Sequence, residues 1–208
     1  MDGDICSICC ATGREESIDC PLECPYLQDA HEHERLPELD PASIPNQDIA
    51  VDEDFLRANE VVMALISIAL FEGVMKNAGT TDWDVRVALE CLVQTYRTLE
   101  SGIHYEAATP NPFAAAVVDS VKEKLADIRR RETEATGTSS VRNDMILGVV
   151  AFLQRLEYSR NNGRKRSRAF IDFLRGFYMP AEDSAEDESL IEGVMPEDPN
   201  PDAPRVIL

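Results

Sequence analysis

Five of the six cysteines fall within the first twenty-four positions, at Cys6, Cys9, Cys10, Cys20 and Cys24, and two of the three histidines follow at His31 and His33. Thiolates in a C-x-x-C pair, followed after a loop by a second close pair, are what a short polypeptide needs to surround a tetrahedral ion, because each pair chelates one edge of the tetrahedron. Cys6, Cys9, Cys20 and Cys24 make two such pairs and are the predicted ligands. Cys10 adjoins Cys9, and neighbouring residues rarely reach one ion together; Cys10, His31 and His33 are the substitutes. Zinc is the expected metal, since a closed four-thiolate shell stabilises a segment too small to hold a core of its own. An iron-sulfur cluster takes the same ligands and is the alternative.

The spacing also predicts local structure. Cys6-Ser7-Ile8-Cys9 reads as a knuckle whose backbone N–H groups stabilise thiolate charge, and residues 11–19 as a small hairpin around Thr12-Gly13. Cys24-Pro25 reads as a helix start, with proline at the first helical position and the helix running to about Arg35. A knuckle followed by a cysteine at a helix start resembles a zinc-knuckle or treble-clef-like module, although the C-x3-C second half departs from the commoner C-x2-C.

The elements that must carry this cluster are helical. Pro37, Pro41 and Pro45 recur in a segment with little apolar periodicity, which predicts an extended tether over 37–51. Between residues 51 and 179 the only prolines are Pro110 and Pro112. Apolar periodicity, with capping residues and glycines past helix ends, predicts helices over about Asp52–Asn77, Thr81–Glu100, Pro112–Glu134 and from Ser139 or Ser140 to about Arg160, then a short fifth around Phe170–Phe177. The expected fold is mainly α: an antiparallel bundle of four long helices plus a short fifth, with an N-terminal cysteine-rich metal module at 1–36, a linker at 37–51, the bundle at 52–179 and a disordered acidic, proline-rich tail at 180–208. Short turns between long helices favour the antiparallel arrangement, and the tether predicts that module and bundle melt independently.

Charge sets limits on partners. The formal charge is −19, and it sits at the ends: residues 1–50 hold 12 acids against 2 bases and residues 181–208 hold 9 acids against 1 base. Such ends repel nucleic acid and anionic membrane at long range. The most apolar uncharged stretch, Val61–Phe71, falls well short of the roughly 20 residues of a membrane span. The N-terminal residues lack the basic and apolar regions of a secretory signal, so the reading is a cytoplasmic protein, in which clustered cysteines bind metal rather than form disulfides.

One basic run opposes the overall charge. Arg160, Arg164, Lys165, Arg166 and Arg168 flank Asn161-Asn162-Gly163, where helix, tight turn and basic helix could contact phosphates; a solvated face neutralising the chain's own acids is the favoured reading, because Phe170, Ile171 and Phe173 give the last helix a packing role. The acidic tail is expected to fold back on this run and shield it. Catalytic signatures are lacking: no phosphate-binding glycine loop or nucleophile elbow occurs, His104 reads as a surface residue of a connection, and Cys91 as a core residue. The function expected is a non-enzymatic metal-binding interaction or regulatory protein with another protein as partner; the alternatives are a nucleic-acid-binding regulator using residues 155–175 and an iron-sulfur redox protein. Oligomeric state is left open by the sequence.

Overall fold

Apolar residues at helical spacing, punctuated by caps, build most of this chain, and the computed structural model describes residues 5–36 and 38–178. Among the described residues it is mainly helical and holds eight α-helices and no strand. They are α1 (Ser7–Gly13), α2 (Pro25–His33), α3 (Glu53–Ala58), α4 (Glu60–Met75), α5 (Asp82–Glu100), α6 (Pro112–Thr136), α7 (Asn143–Arg160) and α8 (Ala169–Tyr178). The predicted acidic tail lies outside the described residues. None of the described helices is long and apolar enough to cross a membrane.

Helices α4 to α7 make the core, with α4 against α6, and α5 against both α7 and α6. The apolar α4 buries Val62, Ile66, Ala69, Leu70, Phe71 and Val74, and α8 closes the bundle with Phe170, Ile171 and Leu174. Cys91 lies in this core and His104 on the surface, as expected. Helices α5 and α6 start where expected, after Thr81 and Asn111. The backbone N–H and hydroxyl of Thr81 both donate to the Asp84 carboxylate, each at 2.8 Å. Asn111 precedes Pro112 and accepts from Phe113 and Ala114 N–H at 3.0 and 3.3 Å, while its own amide donates to Asp84 at 2.6 Å, so one carboxylate ties the starts of two helices. Gly137 closes α6 at φ +83°, a left-handed conformation that glycine adopts without a Cβ penalty.

Three local expectations are corrected. The first long helix is two, because Asn59 leaves helical geometry (φ −114°, ψ 19°) and its side chain donates to Phe55 O at 2.8 Å, the competition with the backbone ladder to which short polar side chains are prone. The break seats the Phe55 ring on Gly148, where a Cβ would lie 2.3 Å from Phe55 Cζ. Helix α7 starts at Asn143 rather than at the serines, since Ser139 and Ser140 instead donate to the Glu132 carboxylate at the end of α6. The predicted hairpin around Thr12-Gly13 is the end of α1, with Thr12 Oγ1 bonded to Ile8 O at 2.8 Å; only an isolated bridge joins Arg14 to Ile18.

The proline-rich segment is held along the bundle. Arg155 donates to the carbonyls of Pro45, Asn46 and Ile49, Asn46 donates to Gln154 at 2.6 Å, Arg97 pairs with Asp48 at 2.6 Å, and Ile49 packs against the core. The Arg97 guanidinium holds the Asp48 carboxyl below its ordinary range.

Close approach of α4 and α6 rests on Gly73, where a Cβ would lie 2.8 Å from Val117 Cα, a backbone atom that cannot swing aside. Gly73→Ala is expected to destabilise the protein by about 1–3 kcal/mol through overpacking, read as a lower denaturant midpoint at unchanged slope.

Candidate functional site

The cysteine-rich lobe contains few apolar side chains, and of these Cys20, Leu22 and Leu27 are buried. Helix α1 begins at Cys6, whose Sγ accepts the Cys9 N–H at 3.2 Å, the N–H···S bond expected of a C-x-x-C knuckle. The Cys9 thiol and then its N–H lower the Cys6 pKa, while donating to Cys6 raises that of Cys9. Both residues are exposed, as are Ile5 and Ile8 beside them. Cys10 is half-buried on the same helix. Cys20 is buried with its thiol directed at Ile18 O, 3.8 Å away. Cys24 stands at the start of α2 with Pro25 at the first helical position, as predicted. All six thiols are free.

Among the described residues no three His, Cys, Asp or Glu side chains are arranged to hold an ion. Among the described residues the structure brings Cys6 and Cys9 together and does not gather Cys20 and Cys24 around them. Among the described residues neither histidine belongs to such a group. His31 is buried between two carboxylates on opposite sides of its ring: Nδ1–H donates to Asp172 Oδ2 at 2.9 Å, and Nε2 lies 3.1 Å from Glu15 Oε1 as an ion pair without hydrogen-bond alignment. His33 is exposed and bonds Asp29 O at 2.9 Å.

That His31 cluster belongs to a polar dock joining the lobe to the bundle. Glu15 is 1 % exposed and sits at φ +54°, a left-handed conformation costly for a residue with a Cβ. Its carboxylate accepts from Arg168 N–H at 2.6 Å and from Asn162 at 2.7 Å, and its carbonyl accepts the Arg166 N–H at 2.7 Å. Arg168, 3 % exposed, donates to Cys20 O, to Thr80 O at 3.1 Å and to Ala78 O at 2.9 Å, and pairs with Asp19 at 2.7 Å. Arg164 bonds Arg14 O at 3.1 Å and Glu34 at 2.5 Å, and Arg175 bonds Leu22 O at 3.0 Å. From beneath, the fully buried Asp82 carboxylate accepts the Ser167 hydroxyl at 2.6 Å and the Phe170 and Ile171 N–H groups at 3.0 and 3.1 Å, capping α8. Burial pushes its pKa up to about 6 despite these donors.

The basic run is thereby divided. Arg168 is buried and Arg164 is engaged within the fold, so these two do not present charge to an outside partner. Arg160, Lys165 and Arg166 have exposed positions, and the Arg160 guanidinium lies 4.5 Å from the centre of the Phe173 ring. Sequence reasoning missed Glu15, Asp82, Asp172 and the docking role of Arg168. A lone acid or base gives no sign of a partner that is 85 to 153 positions away.

The chain matches no known family model, curated protein or solved structure.

Burial works against the charged form of His31, but the Asp172 and Glu15 carboxylates outweigh it and hold its pKa up to about 9. Burial likewise works to raise Glu15, and His31, Asn162 and the Arg168 N–H outweigh it, leaving that carboxyl below its ordinary range. A group raised in the folded state contributes stability that is fully present below its unfolded pKa of 6.5 and is lost as pH rises through about 9; Glu15, being lowered, contributes stability lost as pH falls below 4.5. His31→Gln is expected to remove up to about 3 kcal/mol at pH 6 and to flatten the alkaline loss, measured by denaturant unfolding between pH 6 and 10. Arg168→Met leaves three carbonyls unsatisfied and is expected to cost about 3 kcal/mol or more.

Proposed function

We propose that this chain is a non-enzymatic, cytoplasmic interaction or regulatory protein in which a cysteine-rich lobe carrying a structural zinc ion is mounted on an antiparallel helical bundle. The observation that supports it is the Cys6–Cys9 pair: two exposed thiols one helical turn apart, with the Cys9 N–H directed at the Cys6 sulfur. An N–H···S bond of this kind stabilises a thiolate, the form in which cysteine binds metal. Cys20 and Cys24 are the second pair of this reading, and their thiols must turn toward the first for the shell to close. Cys10 on the same helix is the alternative third donor.

The partner is another protein, met through the apolar side chains around the thiols. Ile5, Ile8 and Tyr26, each within two residues of a cysteine in sequence, are 55 %, 76 % and 72 % exposed in a small polar lobe. The dock through Glu15, His31 and Arg168 holds the base of that surface on the bundle, which lowers the ordering cost of an interface.

Protein purified under reducing conditions without added metal is expected to carry about one zinc per chain by elemental analysis. Cys6→Ser or Cys9→Ser should abolish the zinc, whereas Cys91→Ser, in the bundle core, should retain it. Metal-free wild-type protein, or protein with stoichiometric iron and sulfide, would overturn the zinc assignment.

A further inference from the structure

Where α8 crosses α4 and α7, the bundle surface opens into a groove lined by Met63, Phe152, Leu156, Phe173, Leu174 and Phe177. Its wall is almost wholly apolar. One polar group, the Ser67 hydroxyl, lies in the wall and has no hydrogen-bond partner among the described residues although Ser67 is fully buried. The cavity is about 190 Å³, below the roughly 300–1,000 Å³ of small-molecule pockets but suited to aliphatic side chains of a peptide. The groove shares Phe173 with a neighbouring pocket lined by Glu32, Glu34 and Asp172, and from that side the exposed Arg160 guanidinium stacks on the Phe173 ring.

The chain leaves the described region at this groove, since Phe177 is both a groove residue and one position from the end of α8. Pro180 follows, and a proline there stops a helix from continuing. Beyond it the sequence is acidic with two apolar groups: Val206-Ile207-Leu208 at the end, beside the basic Arg205, and Leu190, Ile191, Val194 and Met195, the group flanked by acids, with Glu186-Asp187-Glu188 before and Pro196-Glu197-Asp198 after. Leu190 with Val194, and Ile191 with Met195, have the i, i+4 spacing that places apolar side chains on one helical face. Residues 179–189 reach on the order of 35 Å when extended, ample to turn back along α8.

We propose that the apolar groove between α4, α7 and α8 is the docking site for this chain's own segment 190–195, with Glu186, Asp187 and Glu188 set against Arg160. The charge that the sequence places beside the apolar anchor is opposite to that of Arg160, the exposed cation stacked on the groove residue Phe173. Intramolecular connection favours this occupant, because a short flexible linker supplies an effective concentration of order mM, so even a segment whose separate affinity is about 0.1 mM would be docked roughly ten times as often as free. A docked tail also covers an apolar face that an external partner would otherwise compete for, making the segment a built-in competitor at that surface.

The test uses the full chain and does not depend on the zinc reading, since metal content is measured in parallel and is expected to be unchanged. In Leu190→Asp/Ile191→Asp protein, amide hydrogen exchange in 63–67, 152–156 and 173–177 should be about tenfold faster than in wild type, and binding of an apolar fluorescent dye should rise. A synthetic peptide of residues 186–196 should bind this double variant saturably, reverse both changes, and bind more weakly when Arg160→Ala is added or salt is raised. Phe177→Ser, at a position 67 % exposed, should reproduce the faster exchange in a chain whose tail is intact. Equal exchange in wild type and the double variant, or a peptide that fails to bind, overturns the proposal. Groove protection that disappears on dilution, with sedimentation showing dimers, assigns the groove to a second copy and overturns it equally.

Discussion

Arg168 is only 3 % exposed, and its position decides how the N-terminal lobe can fold. A buried guanidinium is tolerated only when its donors are met, and here the acceptors are the carbonyls of Ala78 and Thr80 from the bundle, the carbonyl of Cys20 and the carboxylate of Asp19 from the lobe. Satisfying one side chain therefore requires both parts to be in place together. The segment that carries Arg168 is itself fixed from two directions. Asp82 holds Ser167, Phe170 and Ile171 from the bundle side, and Glu15 holds the Arg168 N–H from the lobe side.

The lobe needs this constraint. With Cys20, Leu22 and Leu27 as its buried apolar side chains, hydrophobic transfer at roughly 1.5–3 kcal/mol per large residue falls far short of the ordering entropy of its backbone. Leu22 escapes that limit by joining the bundle's core, and the remaining stabilisation comes from charge-assisted contacts of Glu15, His31, Glu34 and Asp19 with α8 and the turn before it. A left-handed Glu15 is the local cost of the arrangement: the chain must turn sharply after α1 for its carboxylate to point into the dock. The lobe is thus anchored at its base, along 14–22 and 31–34, while Cys6 and Cys9 at its far end present their sulfurs to solvent.

The same economy of surface shapes the other flank of the bundle. Segment 38–51, expected as a tether, is bound to α5 and α7 by Arg97, Gln154 and Arg155, so the connection between lobe and bundle is itself a packed element. Arg86 and the buried Glu157 make the corresponding bridge between α5 and α7 with two hydrogen bonds of 2.8 and 3.1 Å. The apolar groove beside α8 lacks a comparable cover among the described residues, and it opens where the chain passes into its acidic C-terminal part.

Signals that act within one helical turn were legible in the sequence. The Thr81 and Asn111 starts, proline at positions 112 and 25, glycine closing α6 at 137, the apolar face of α8 and the N–H···S bond of Cys6 with Cys9 all depend on residues no more than four apart, so composition and spacing specify them. The helical class of the fold follows from the same local code. Asn59 marks its limit: whether that side chain breaks a helix or faces solvent depends on what receives Phe55, and the recipient is Gly148, far along the chain. The use of the basic run lies wholly beyond the local code. Spacing shows that Arg160, Arg164, Lys165, Arg166 and Arg168 are clustered, yet two of them are taken inward by carbonyls and carboxylates more than 80 positions away and the others are left outside. Burial of a charge is determined by its distant partners, and only the tertiary structure brings those partners to it.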